Sequence, residues 1–151
     1  MIKSIGVHIK ASDFKKSSIF YANLGFHKIF EYGPDKKVKE KYSGVTYGIG
    51  DSRLELANGH IAVKPHVFKE KVESSKISLM INVDSIANII RRCEIHNIPL
   101  AVEPRHYYWG TLEVVVKDPD GVVLVFICPY SKIEAKKVNA DESFAKNPYQ
   151  P

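Results

Sequence analysis

The chain has 151 residues, enough for one compact domain or for two half-domains sharing a core. At 44% hydrophobic and 26% charged it has an ordinary globular composition, and no apolar run approaches the roughly 20 residues of a membrane span. Its 22 basic and 17 acidic residues give a net charge of +5. The lysines fall in short clusters (Lys15-Lys16, Lys36-Lys37-Val38-Lys39, Lys69 and Lys71, Lys136-Lys137), with no basic helix and no aromatic RNA platform, so neither a nucleic-acid nor a membrane partner is expected.

Residues 5 to 11 alternate strictly and predict a strand, with Ile5, Val7, Ile9 and Ala11 on one face and Gly6, His8 and Lys10 on the other. Ser12-Asp13 offers a helix N-cap, Phe14, Ser17, Ser18, Tyr21 and Leu24 follow at helical spacing, and Gly25 suits the stop. Strands are expected over 26–32, 42–49 and 52–57, with a turn at Gly33-Pro34-Asp35. The stretch from Asn58 to Lys76 has no clear period and reads as a linker, set at 59–75.

The layout then repeats. Residues 77 to 83 place Ile77, Leu79, Ile81 and Val83 on one face and Ser78, Met80 and Asn82 on the other. Asp84 is expected to cap a helix whose apolar stripe is Ile86, Ile89, Ile90, Cys93 and Ile95, and strands follow near 99–103, 111–117 and 122–128. The domain is set at 1–130, with modules 1–58 and 76–130, and 131–151 as a polar tail with a short helix around Asp141 to Lys146. The predicted fold is α+β, two tandem βαβββ modules with curved sheets around a concave cavity. In each module the apolar face of the first strand is the one a helix must cover, which leaves the mixed face for the cavity. A slip of one residue would reverse that assignment.

Cys93 and Cys128 lack zinc-type spacing and sit in apolar segments, so both are expected as buried thiols. Met1-Ile2-Lys3-Ser4 reads as a strand and not as a signal peptide, and together these features predict a cytoplasmic protein.

Ser12-Asp13 with Phe20-Tyr21-x-x-Leu24-Gly25-Phe26, Leu54-Glu55-Leu56, and Trp109-Gly110 followed by Asp118-Pro119-Asp120-Gly121 resemble the vicinal oxygen chelate superfamily over about residues 3 to 128. That superfamily includes glyoxalase I, extradiol dioxygenases, fosfomycin-resistance enzymes and bleomycin-resistance binding proteins. The resemblance implies a homodimer, and in metal-using members a ligand on the first and fourth strands of each module. Counting from the motifs, these positions are Gly6, Glu55, Ser78 and Val125, of which Glu55 alone suits a divalent ion.

The resemblance therefore implies no metal and no cofactor, and it is closest to the bleomycin-resistance type of binding protein. The cavity lining expected from alternation and motif position is His8, Lys10, Arg53, Glu55, Ser78, Met80, Asn82, Val123 and Val125, with Tyr107, Tyr108 and Trp109 adjacent in sequence. Bleomycin is cationic, so a chain of net charge +5 is expected to take a neutral or anionic, partly aromatic molecule instead. The alternative is an enzyme, through a displaced metal on His8 and Glu55 with His106 as a third ligand if its loop folds inward, or through acid–base work by the same pair. A regulatory role built on the lysine-rich loops is a third reading. No catalytic residue is assigned.

Overall fold

A computed structural model of the chain describes Met1, residues 5–60 and residues 77–149. The chain divides into two compact units, Met1–Ser74 and Ser75–Pro151. The first contains β1 (Gly6–Lys10), α1 (Phe14–Asn23), β2 (Lys28–Tyr32), β3 (Gly44–Ile49) and β4 (Ser52–Ala57). The second contains β5 (Ser78–Asn82), α2 (Ile86–Ile95), β6 (Val102–Tyr107), β7 (Thr111–Lys117) and β8 (Val123–Pro129), then α3 (Lys132–Lys137) and a 3₁₀ turn at Glu142–Phe144. The sheets run β1-β4-β3-β2 and β5-β8-β7-β6. In each, the first strand pairs parallel with the fourth and the other pairs are antiparallel. The fold is α+β, two tandem βαβββ modules, as the repeat predicts. The linker expected over 59–75 lies almost wholly outside the described residues.

Both crossover helices form for the reasons legible in their sequence. Asp13 caps α1, its Oδ1 accepting from the Lys16 N–H at 3.0 Å. Beyond the helix Gly25 takes φ +96°, its N–H donating to Ala22 O while the Phe26 N–H donates to Tyr21 O, a Schellman stop. The second crossover ends the same way with Asn97 at φ 54°, the Ile98 N–H reaching Cys93 O at 2.8 Å. Its start differs from expectation: Ser85, not Asp84, is the N-cap, with its Oγ accepting from the Asn88 N–H at 3.3 Å. The backbone is already extended at Ser85 (φ −149°, ψ 121°), so the helix starts one residue later.

Each module has its own core. In the first, Tyr21 of α1 lies against Phe26 (ring centroids 5.2 Å) and Tyr47 (5.9 Å), above Ile9, Val45, Leu54 and Leu56. In the second, Ile86, Ile89 and Cys93 cover Leu112, Val114, Val116, Leu124, Phe126 and Cys128. Ile95, expected in the stripe, is exposed, because the apolar face has rotated away by the last helical residue.

The tail is organised differently from the sequence reading. Its α-helix lies at Lys132–Lys137, and the expected helix near 141–146 is a single 3₁₀ turn. Residues 141–144 run along β6: the Asp141 N–H donates to Pro104 O, the His106 N–H to Asp141 O and the Tyr108 N–H to Phe144 O. This explains why β6 extends to Tyr107 through Pro104, beyond the expected 99–103. Proline is tolerated at a sheet edge, and the tail occupies that edge. Glu134 of α3 accepts from Ser85 Oγ (2.5 Å) and the Ala87 N–H (2.8 Å), tying the tail to the start of α2.

The Asp-Pro-Asp-Gly turn between β7 and β8 is held by a buried carboxylate. Asp118 Oδ1 accepts from the backbone N–H groups of Asp120 and Val122, both at 2.8 Å, and Gly121 takes φ +84°. Asp118→Ala removes the one oxygen that accepts both bonds from a site that is 4% exposed. It is expected to cost about 1–3 kcal/mol. Thermal and urea unfolding of Asp118→Ala and Asp118→Asn check this: Asn, which keeps one acceptor oxygen, should fall between Ala and wild type.

Candidate functional site

Register builds a row of side chains across the first sheet. His8 on β1 lies opposite Glu55 on β4, Glu55 opposite Thr46 on β3, and Thr46 opposite Phe30 on β2. Alternation points this row to the face turned away from Tyr47 and Leu56, and hence from α1. Phe30, Tyr32, Thr46 and Glu55, together with Val38, Glu40, Tyr42 and His60 from the flanking segments, line a cleft of about 280 Å³. Such a cleft sits at the lower end of the size range of small-molecule sites.

Two glycines seat its aromatic walls. Gly44 lies beneath the Tyr32 ring and Gly59 beneath the Tyr42 ring, each where a Cβ would collide with ring atoms. The seated Tyr32 hydroxyl donates to Glu55 Oε1 at 2.5 Å, and His60 Nε2 lies 3.7 Å from that same oxygen. The His8 and His60 rings meet edge-on with centroids 5.1 Å apart. Burial, then the hydrogen bond and charge of Glu55, then the charge of Glu40 push the Tyr32 hydroxyl well above its ordinary value of 10.0, so it remains a proton donor.

The other expected lining residues are placed as follows. Lys10 is exposed at the end of β1. Arg53 folds back onto the β3–β4 turn, its Nη1 donating to Gly50 O (2.9 Å) and Ser52 O (2.8 Å), and makes no pair with Glu55. In the second module Ser78, Met80 and Asn82 alternate along β5 opposite Val123, Val125 and Ile127. Met80 is 72% exposed. Trp109 stacks on Tyr107 at 4.4 Å and its Nε1 donates to Glu113 Oε1 at 3.0 Å, while Tyr108 meets Trp109 edge-on. His106 stacks on Tyr130 at 3.7 Å with Nδ1 2.5 Å from Glu142 Oε2, so its ring is engaged by the tail.

Sequence reasoning missed Phe30, Tyr32, Val38, Glu40, Tyr42, Thr46 and His60. Phe30 and Tyr32 share a face of β2 and were within reach of the alternation rule. Tyr42 and Thr46 share a face of the strand expected over 42–49 and were equally within reach, whereas Glu40 and His60 come from segments without periodicity and carried no such signal.

The positions where metal ligands are implied do not fit a divalent ion. Gly6 supplies no donor, and Val125 sits in an apolar row with Met80, Val115 and Val102. Glu55 already accepts from Tyr32. Among the described residues no group of three or more His, Cys, Asp or Glu is placed to hold a metal ion. A second cleft of about 290 Å³ runs beside α1, but its charged residues satisfy one another, Lys28 and Lys36 lying 2.9 and 3.5 Å from Glu31 Oε2.

The site should register in the pH dependence of stability. Burial holds the His8 imidazole below its ordinary 6.5, with the Glu55 charge pulling it back up and His60 pushing it further down. The unfolded chain therefore takes the proton more readily than the fold. Stability from this residue is present above 6.5 and is lost as pH falls from there toward the depressed value. Thermal unfolding between about pH 8 and 5 should show a shallower decline for His8→Gln than for wild type, and parallel profiles would contradict it.

Among the described residues no helix is long and apolar enough to cross a membrane. None of the curated proteins matches the chain. Among solved structures, a bleomycin resistance determinant encoded on transposon Tn5 is 22% identical, with a TM-score of 0.57 over 86% of this chain and 100% of its own. The fosfomycin resistance protein FosX of Listeria monocytogenes is 13% identical, with a TM-score of 0.66 over 90% and 99%. A glyoxalase I mutant from Zea mays is 19% identical, with a TM-score of 0.62 over 81% of this chain and 43% of that longer one. At these identities the likeness is one of fold. The model of the Glyoxalase/Bleomycin resistance protein/Dioxygenase superfamily matches residues 6–126, and with both βαβββ modules in place the chain belongs to that superfamily.

Proposed function

We propose that the chain is a metal-free small-molecule binding protein whose ligand site is the cleft of the first module. The observation that carries this reading is the state of Glu55. The one carboxylate at a matching ligand position is held by Tyr32 in the wall of an aromatic-lined cleft, while Gly6, Ser78 and Val125 fill the other three positions. Without a Lewis acid the chemistry of metal-using relatives has no driving group. A bleomycin-binding protein solved with bleomycin, 22% identical with a TM-score of 0.56, supports binding as a use of this fold.

The second reading, an enzyme with a displaced centre on His8 and Glu55, is favoured by one observation. These side chains face each other across the β1–β4 register, and His60 lies beside both. Elemental analysis of protein purified without chelator, then after incubation with zinc, nickel, manganese and iron(II), separates the two. We expect no stoichiometric metal. A bound metal that disappears in Glu55→Gln would replace the binding reading with the enzymatic one.

We further propose a cytoplasmic homodimer whose partners include neither nucleic acid nor membrane. Cys93 and Cys128 are buried free thiols. Burial, with Glu94 adding to it, pushes Cys93 up to about 11, and burial raises Cys128, so both stay protonated and inert, as suits a reducing compartment. Light scattering on the eluting protein is expected to give twice the mass of one chain, and a monomer mass across the concentration range would refute the dimer.

A further inference from the structure

The cleft of the first module has a charge opposite to that of the whole chain. Its described lining holds two carboxylates, Glu40 and Glu55, three aromatic rings, Phe30, Tyr32 and Tyr42, and among the described residues no lysine or arginine. Among the described residues, Lys41 alone of the nearby cations lies on a lining ring, and the others are directed elsewhere. Arg53 is bonded to turn carbonyls, Lys39 donates to Pro34 O at 3.1 Å, and Lys28 and Lys36 pair with Glu31. Lys41 lies over the Tyr42 ring with Nζ 5.3 Å from its centroid. The net charge of +5 is spread over the surface, and at physiological ionic strength charges beyond about 8 Å are largely screened, so the lining decides what is held.

Among the described residues both contacts of the Glu55 carboxylate fall on Oε1. The side chain is 28% exposed, which leaves Oε2 as an acceptor for a ligand N–H. A neutral ring closing over the cleft would strip water from two carboxylates that have no lysine or arginine beside them in the described lining, and an anion would be repelled by both. A cation gains a charge-assisted hydrogen bond from the carboxylates and a quadrupole attraction from ring faces. Both carboxylates line the same cleft as the Tyr32 ring, whose hydroxyl donates to Glu55.

We infer that this cleft is built for a small organic cation carrying a flat ring, with Glu40 and Glu55 as its counter-charges. The inference rests on the small-molecule reading above and gives that reading a ligand class.

Benzamidine, benzamide and benzoate are flat, nearly equal in size, and cationic, neutral and anionic at neutral pH. Each is titrated at constant ionic strength into the full chain while backbone amide resonances are followed. Benzamidine is expected to shift the amides of Tyr32, Thr46 and Glu55 and to bind about tenfold or more tighter than the other two. Glu40→Gln and Glu55→Gln should each weaken benzamidine about tenfold and benzamide by much less. Should Glu55→Gln lose the wild-type spectrum, because Tyr32 depends on that carboxylate, Glu40→Gln carries the test. Benzamide or benzoate binding in the cleft as tightly as benzamidine would overturn the cation inference while leaving a small-molecule site. No shift with any of the three would remove the site reading itself, and the cation inference with it.

Discussion

The parallel pairing of the first strand with the fourth, made once in each module, is the constraint on which the rest of the structure depends. Parallel strands cannot be joined by a tight turn, so the chain must cross over, and in both modules it does so through a helix. The helix buries one face of the sheet, and strict alternation then sends every second side chain to the other. In the first module this brings His8 opposite Glu55, residues 47 positions apart in the chain, by backbone geometry alone. In the second module the same geometry produces Met80 opposite Val125, an apolar pair where a donor would otherwise stand.

Tyr32 occupies a pivotal place in the first module. Its ring is admitted by Gly44 directly opposite on β3, and its hydroxyl engages the carboxylate. A polar group in a cleft wall needs a hydrogen-bond partner, and the Tyr32 hydroxyl supplies one to Glu55 Oε1 at 2.5 Å. The tyrosine thus orients Glu55 without bringing in a positive charge. This makes the first module an acidic, aromatic recess on a basic chain, a contrast that whole-chain electrostatics average away.

The tail illustrates how a polar segment can be structural. Nothing in residues 131–151 has the hydrophobicity of a core element, yet Ala135 is buried, Glu134 closes the start of α2 and residues 141–144 pair with the edge of β6. Desolvation raises the Glu134 carboxyl, but hydrogen bonds from Ser85 and Ala87 and the charge of Lys137 outweigh it and hold the group below its ordinary value of 4.5. An unprotected edge strand is a template for pairing with another chain, and here the chain's own end fills it.

The sequence by itself determined the βαβββ repeat, because period-two strands, and in the first module an Asp cap and a Gly stop, are local signals that tertiary packing had no reason to override. It determined Ser52–Ala57 and Thr111–Lys117 to the residue, and it located His8 and Glu55 on one face, since alternation survives folding unchanged. The tertiary structure decided what surrounds that face. The Arg53 guanidinium turned to nearby carbonyls because a hairpin turn presented them, and β6 ran on through Pro104 because the tail came to lie along its edge. Glu40 and His60 reached the cleft from segments outside the strands, and Gly59, next to His60, seats the Tyr42 ring. Those are non-local contacts, and local periodicity carries no record of them.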